Sequence, residues 1–100
     1  LLSDSRFAEE YVLARRRKGF GPIKISMELQ NKGVNKSLIF NEIQGFDDWV
    51  DLARKSFKKK FPNGPSNDLK KLQKQKNFLA NKGFSFNEIE SVFEIESVLE

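Results

Sequence analysis

Apolar residues at the start of the chain recur at the spacing of an amphipathic helix. The first predicted helix runs from about residue 4 to residue 18, and Gly19 ends it. Its inner side carries Phe7, Ala8, Tyr11, Val12 and Ala14.

The next segment combines two patterns. Apolar residues alternate there as they do in a strand, at Ile23, Ile25, Met27 and Leu29. Helix punctuation nevertheless bounds the segment, because Gly21-Pro22 opens it and Asn31-Lys32-Gly33 closes it. We therefore predict a second helix. A third follows the N-cap residue Asn35, and its apolar stripe consists of Ile39, Ile43 and Phe46.

The second half of the chain repeats this plan of three helices. A fourth helix is predicted from Asp47-Asp48, acids that suit the positive end of a helix dipole, to Phe61-Pro62. Its inner stripe consists of Trp49, Leu52, Ala53, Ser56 and Phe57. The fifth helix carries Leu69, Leu72, Lys76 and Leu79 on one line, beside Phe78. The sixth begins at a Ser85–Glu88 capping box, which Phe84 and Ile89 flank as a hydrophobic staple.

An internal repeat is visible when the two halves are compared directly. Leu29-Gln30-Asn31-Lys32-Gly33-Val34 matches Leu79-Ala80-Asn81-Lys82-Gly83-Phe84 at an offset of fifty residues. These patterns predict an all-α fold of two tandem three-helix repeats, residues 1–46 and 47–98, packed as an elongated, curved helical array. Helix breaks are expected near Gly19, Gly33, Phe46, Pro62 and Gly83.

Large apolar residues on the inner stripes form the predicted core. We expect burial of Phe7, Tyr11 and Ile39 in the first repeat, and of Trp49, Phe57 and Leu72 in the second. Phe20 lies in a loop between basic residues. It is therefore the candidate for an exposed aromatic that stacks on a nucleic-acid base.

Composition excludes several kinds of chemistry. The 100 residues include no cysteine and no histidine, which removes disulfides, thiolate chemistry, the usual zinc ligands and imidazole catalysis. Gly19-Phe20-Gly21 is not a phosphate loop, since no strand precedes it and no Gly-Lys-Ser/Thr follows. No apolar run approaches the roughly 20 residues of a membrane span. We expect a cytoplasmic binding protein with no catalytic residues, no cofactor and no metal.

Positive charge is segregated along the chain, whose net charge is +4. Residues 54–82 contain ten bases and one acid, and residues 88–100 contain five acids and no base. Helix-dipole complementarity and a solvated surface are two explanations of this pattern. A third is electrostatic docking on phosphate or on an acidic protein surface. The candidate partner-binding or nucleic-acid-binding residues are Arg15, Arg16, Arg17, Lys18, Lys24, Lys58, Lys59, Lys60, Lys70, Lys71 and Lys74.

Several spaced residues together carry a family resemblance. In the first half they are Ser3-Asp4-Ser5-Arg6-Phe7-Ala8-Glu9, Tyr11, Arg15, Lys18-Gly19-Phe20-Gly21-Pro22, Ile25 and residues 28–34. In the second half they are Trp49, Ala53, the basic stretch that follows, Phe78-Leu79 and Gly83-Phe84. The first set resembles the middle repeat of the RecX family, and the second set resembles the last repeat. Because RecX proteins have three such units and this chain begins without a methionine, we expect an N-terminal unit to be missing.

The resemblance implies a non-catalytic modulator of the RecA recombinase in DNA repair and the SOS response. RecX proteins bind the RecA–DNA filament, lie in its helical groove and damp ATP hydrolysis, strand exchange and coprotease activity. Direct contact with the phosphate of single-stranded or double-stranded DNA is left open. The alternative is a stand-alone helical nucleic-acid-binding module, because three short helices also build helix-turn-helix domains. An enzyme is the least favoured class.

Overall fold

A computed structural model describes residues 3–99, which form six α-helices and no strand. The helices are α1 (Asp4–Arg17), α2 (Pro22–Asn31), α3 (Lys36–Gln44), α4 (Trp49–Lys60), α5 (Leu69–Lys82) and α6 (Phe86–Val98). The all-α prediction is confirmed, and the helices are interrupted near the five predicted break residues. Residues 1 and 2 of the first predicted repeat lie outside the described range. Of the six helices, none is both long and apolar enough to cross a membrane.

Side-chain caps explain where most of these helices begin. Ser3 Oγ accepts from Arg6 N at 3.2 Å, and Asn35 Oδ1 accepts from Ser37 N at 2.7 Å. The predicted capping box of α6 is present: Ser85 Oγ accepts from Glu88 N, and Glu88 Oε1 accepts from Ser85 N. Helix α4 lacks such a cap, because the carboxylate of its N-cap residue Asp48 binds Arg16 instead.

The capping box gives the first testable prediction. Ser85→Ala is expected to lower the free energy of unfolding by about 1 kcal/mol, because it leaves the Glu88 amide without its acceptor. Urea denaturation measures this loss. Ser97→Ala in the same helix is the matched control and is expected to change stability by less than about 0.5 kcal/mol, since Ser97 is exposed and its Oγ donates only to Phe93 O, one turn earlier in the same helix. Equal losses for the two variants would show that the box does not stabilise α6.

Helix α2 resolves the alternating pattern that suggested a strand. Ile25 and Leu29 are fully buried, whereas Ile23 and Met27 are 48% and 59% exposed. Each pair is spaced four residues apart, so each occupies one face of a helix. Residues two apart in a helix point to opposite sides, and over four positions this reproduces the pattern of a strand.

The helices pack in two groups, which we name the first triplet (α1–α3) and the second triplet (α4–α6). The closest helix contacts lie within each triplet, and the chain measures 50 × 21 × 19 Å, so it is elongated as predicted. Buried apolar side chains of both triplets belong to one connected cluster. The completely buried members are Ala8, Val12, Ile25, Leu29, Ala53, Phe57, Leu79 and Val92.

The core prediction is right for some residues and wrong for others. Ile39, Trp49 and Phe57 are buried, whereas Phe7, Tyr11 and Leu72 are only partly buried. Ala14 is exposed, and Leu69 is 80% exposed. Burial increases along α5 from Leu69 through Leu72 to Leu79, so this helix joins the core only after its first turn.

Two glycines form a backbone joint between the triplets. Gly21 N donates to Lys82 O at 2.7 Å, and Ile23 N donates to Gly83 O at 2.9 Å. A Cβ atom on Gly21 would lie 2.5 Å from the carbonyl carbon of Gly83, so the two backbones approach as closely as glycine permits. This contact fixes the C-terminal end of α5 beside the loop between α1 and α2.

Candidate partner-binding groove

A groove of about 740 Å³ lies where α1 ends and where α4 and α5 pass beside it. Its cationic residues are Arg16, Arg17, Lys18, Lys55, Lys59, Lys60 and Lys82. Its apolar residues are Leu13, Phe46, Leu52 and Phe78. None of the lining residues within the described range is acidic. The groove therefore combines a concentrated patch of positive charge, which we call its rim, with apolar side chains, which we call its floor.

Both triplets contribute charge to this groove. The first contributes the last turn of α1, where cations complement the negative end of the helix dipole. In the second triplet, Lys55 and Lys59 are four residues apart on α4 and therefore share a face. Lys82 is the last residue of α5, and the glycine joint positions it beside the end of α1. Its Nζ donates to Lys18 O at 3.4 Å. The groove consequently depends on how the triplets are docked.

The structure brings together about half of the candidate residues from sequence. Those that line the groove are Arg16, Arg17, Lys18, Lys59 and Lys60, and those that do not are Arg15, Lys24, Lys58, Lys70, Lys71 and Lys74. Lys58 turns instead toward Glu96, with 4.0 Å between Nζ and Oε1. Lys55 and Lys82 also line the groove but were not among the candidates from sequence. Helical spacing from Lys59 indicates Lys55, but Lys82 requires knowledge of the joint.

Arg15 has partners within the chain. Its Nε and Nη2 donate to the two carboxylate oxygens of Glu28, each at 2.9 Å, and the Tyr11 hydroxyl donates to the same carboxylate at 2.9 Å. The guanidinium also lies 3.9 Å from the ring centroid of Phe20. These contacts connect α1 to α2, so we assign Arg15 a structural role rather than a place in the partner-binding groove.

Phe20 is not the exposed aromatic that the sequence predicted. It is partly buried, and cations surround its ring: Lys82 Nζ lies 4.6 Å and Lys24 Nζ 5.1 Å from the centroid, in addition to Arg15. A loop position suggested exposure, but the glycines on either side fold the loop against the end of α5. Phe20 thus holds cations of both triplets rather than offering a free face to a base.

The Glu28 contacts have a consequence for stability at acid pH. Burial raises the pKa of Glu28, but the hydrogen bonds from Arg15 and Tyr11 outweigh it, and the net pKa is lowered below 4.5. Because the folded-state pKa is depressed, the stabilisation is present above the unfolded-state pKa and is lost as pH falls through the folded-state value. Burial, together with the same contact with Glu28, raises the pKa of Tyr11.

We therefore expect the stability difference between the wild-type chain and Glu28→Gln to be largest above pH 4.5 and to shrink below it. Urea unfolding at neutral pH and at about pH 3 measures both differences. Glu9→Gln, which replaces an exposed acid on α1, is the control and should show no such change. A difference for Glu28→Gln that stays constant with pH would contradict this assignment.

Arg16 connects α1 to the beginning of α4. Its Nη2 donates to both carboxylate oxygens of Asp48, at 2.7 and 2.8 Å. The guanidinium lies 4.0 Å from the centroid of Phe46 and 4.6 Å from that of Trp49. Nη1 is buried and has no hydrogen-bond partner among residues 3–99, so ring contact is its main compensation. Arg16 therefore forms a second joint between the triplets at the edge of the groove.

Lys82 lies partly buried among other cations, and its pKa is lowered as a result. Its pKa is lowered, first by burial and then by the neighbouring charges of Lys24, Lys59 and Arg15. Of these neighbours, Lys59 lines the groove with Lys82, and an anion that binds beside the two lysines relieves their repulsion. The groove is thus suited to an anionic partner.

Binding is the chemistry that these residues support. The groove offers ammonium and guanidinium groups, one serine hydroxyl and apolar carbon. In the part of the chain that the structure describes, no three His, Cys, Asp or Glu residues form a group able to hold a metal ion. The arrangement provides charge and shape for an anionic surface, and we assign no reaction to it.

Comparisons with known proteins cover both triplets. A sequence profile described as the second three-helix domain of RecX matches residues 3–40, and one described as the third matches residues 47–93. A protein named Regulatory protein RecX from Legionella pneumophila is 40% identical over 92 residues, which are 91% of this chain and 61% of the relative.

Relatives with the same name from two other bacteria extend the match. The one from Pectobacterium atrosepticum is 36% identical over 93 residues, covering 92% of this chain and 57% of the relative. The one from Yersinia pseudotuberculosis is 37% identical over 93 residues, covering 92% of this chain and 51% of the relative. The chain thus spans between half and about three fifths of the length of these relatives. The chain belongs to the RecX family.

Proposed function

We propose that this chain is a negative regulator of a RecA recombinase that binds the RecA–DNA filament in the cytoplasm. In this role it damps ATP hydrolysis, strand exchange and coprotease activity and catalyses no reaction itself. We also propose that residues 1–46 and 47–98 act as two repeats, docked as one rigid unit through the glycine and Arg16 joints. The regulatory names of the relatives support the class of function.

The observation that carries the proposal is the convergence of cations on one groove between the triplets. Charges distributed for solubility alone need not meet, yet those of α1, α4 and α5 do. A docked pair of helical units offers an elongated surface that can follow a filament. Concentrated positive charge steers such a body toward the negative potential of a protein–DNA filament.

The distribution of charge disfavours the stand-alone nucleic-acid-binding module. In a helix-turn-helix domain, a recognition helix enters the major groove and needs donors and positive charge on its outer face. The third helix of the first triplet carries one lysine and one glutamate, and that of the second carries four glutamates and no base. Seven cations instead line the groove between the triplets.

The proposal predicts that groove lysines matter more than lysines elsewhere. Lys55→Glu, Lys59→Glu and Lys60→Glu together are expected to weaken binding to a RecA–DNA filament by about tenfold or more, because each exposed pair contributes up to about 1 kcal/mol. The three positions are exposed, so the fold should persist. Fluorescence anisotropy of the labelled chain measures the affinity, and the filament ATPase rate measures the effect on the recombinase.

Lys70→Glu, Lys71→Glu and Lys74→Glu form the matched control, since they change the net charge equally but lie outside the groove. We expect this set to reduce affinity by less than about threefold, through long-range steering only. The wild-type chain should also lose affinity as salt is raised, and more steeply than the groove variant. Equal losses for both sets, or no loss for either, would reject the groove as the docking surface.

A further inference from the structure

The floor of the groove carries more apolar surface than phosphate binding requires. The side chains of Leu13, Phe46, Leu52 and Phe78 line the groove together with the cations. Leu13 is 37% exposed although it belongs to a helix whose other face packs in the core. A nucleic-acid phosphate backbone makes its main contacts with charged groups and hydrogen-bond donors. It would leave the apolar side chains of the groove exposed to water.

The two aromatic rings in the floor are poorly placed to stack on bases. Arg16 lies 4.0 Å over the ring of Phe46, and Trp49 packs edge-on against it at 6.0 Å between centroids. Lys82 Nζ lies 5.9 Å from the centroid of Phe78, whose ring also packs edge-on against another ring of the chain. Single-strand binders instead present open ring faces to successive bases. The floor offers mainly aliphatic carbon and ring edges.

The rim and the floor together describe an amphipathic partner. Lysine ammonium groups, which predominate on the rim, interact with carboxylates as compact point charges. Aliphatic carbon in the floor matches an apolar side chain rather than a sugar or a phosphate. Protein segments that combine acidic residues with apolar anchors are a common kind of ligand for a basic, apolar groove.

We propose that the groove between the triplets binds an acidic protein segment, with an apolar side chain of that segment inserted among Leu13, Leu52 and Phe78. This inference rests on the proposed function, because it names the part of a protein partner that the docking surface receives. Carboxylates of the segment face Lys55, Lys59, Lys60 and Lys82. Nucleic acid is the competing ligand.

The test uses a short fluorescein-labelled peptide of aspartate and glutamate with two leucines at its centre. Two probes accompany it: the same peptide with serine at both leucine positions, and a single-stranded thymidine oligonucleotide of equal net charge. Anisotropy titrations with the full chain at constant salt compare the three. Burial of an apolar side chain predicts that the leucine peptide binds about tenfold tighter than the serine peptide. The oligonucleotide is expected to bind more weakly than the leucine peptide.

Variants locate the binding in the groove. Leu13→Ser, at a partly exposed position, is expected to reduce the preference for leucine over serine to about twofold or less while charge-driven binding persists. Lys59→Glu with Lys60→Glu should weaken both peptides, and Lys70→Glu with Lys71→Glu should weaken neither by more than about twofold. Circular dichroism is used to check that each variant is folded. The comparison of the three probes uses the wild-type chain and therefore does not depend on the folding of any variant.

Two results would overturn the inference. One is equal affinity for the leucine and serine peptides, and the other is tighter binding of the oligonucleotide with displacement of the leucine peptide. If either occurs while charge reversal of Lys55, Lys59 and Lys60 still weakens filament binding, the proposed function stands and the partner assignment fails. If that reversal also leaves filament binding intact, the proposed function fails as well.

Discussion

Gly83→Ala is expected to lower the free energy of unfolding by about 3 kcal/mol or more. Gly83 has a φ of +100°, where an alanine is strained by about 1–2 kcal/mol. A Cβ atom there would also overlap Cβ of Lys24 and lie 2.8 Å from Lys24 N, so the backbone must move. Overpacking of this kind adds a further cost of about 1–3 kcal/mol. Urea denaturation measures the total.

The repeat supplies a matched control for this prediction. Gly33 occupies the equivalent position after α2, with a φ of +84°, and a Cβ atom there would meet nothing within 4 Å. Gly33→Ala should therefore cost only the backbone strain, about 1 kcal/mol. The difference between the two variants isolates the joint between the triplets. Similar losses for Gly33→Ala and Gly83→Ala would show that the joint contributes little.

Hydrogen exchange provides an independent readout of the joint. The amide of Ile23 donates to Gly83 O across it, although Ile23 itself is 48% exposed. We expect Gly83→Ala to speed exchange of this amide more than that of amides inside α6, because local opening exposes the joint before the core. Uniform acceleration across the chain would instead indicate global destabilisation.

Trp49→Ala is expected to cost about 3–5 kcal/mol, the range for removing a large buried aromatic. Trp49 is 8% exposed, and its Nε1 donates to Ile43 O at 3.1 Å. It also packs edge-on against Phe46, and Arg16 lies over its ring. The substitution removes core volume from the second triplet and one of the surfaces that holds Arg16, so it affects packing and docking together.

Two further substitutions calibrate the loss at Trp49. Trp49→Phe keeps an aromatic ring but removes the indole donor, and it should cost about half as much or less. Phe40→Ala removes an aromatic that is 59% exposed, and it should cost less than about 1 kcal/mol. A loss below about 1 kcal/mol for Trp49→Ala in urea denaturation would place Trp49 at the periphery.

Local chemistry made much of the fold predictable. Gly19, Gly33 and Gly83 end helices because of their own backbone freedom, and Ser85 with Glu88 starts one through bonds three residues apart. Such signals depend on neighbours in sequence. The misplaced core residues, such as Leu69, depend on how far a helix extends beyond its partners, which is a property of tertiary packing.

The candidate groove was less predictable, since it depends on contacts between distant residues. Arg15 and Arg16 are adjacent in a basic block, yet each forms an ion pair with an acid far away in the sequence. Arg15 pairs with Glu28, and Arg16 pairs with Asp48. Lys82 enters the groove through a glycine joint. A charge pattern identifies which residues are cationic, but tertiary contacts determine which cations remain for a partner.

We propose that the groove between the triplets faces the recombinase filament. The chain contains no cysteine, so a single cysteine introduced by Lys59→Cys or by Lys71→Cys carries one environment-sensitive fluorophore at a known position. Iodide quenching before and after addition of a RecA–DNA filament measures the accessibility of each label. We expect the label at position 59 in the groove to become protected while the label at position 71 on α5 stays accessible. Protection at position 71 with none at position 59 would contradict it.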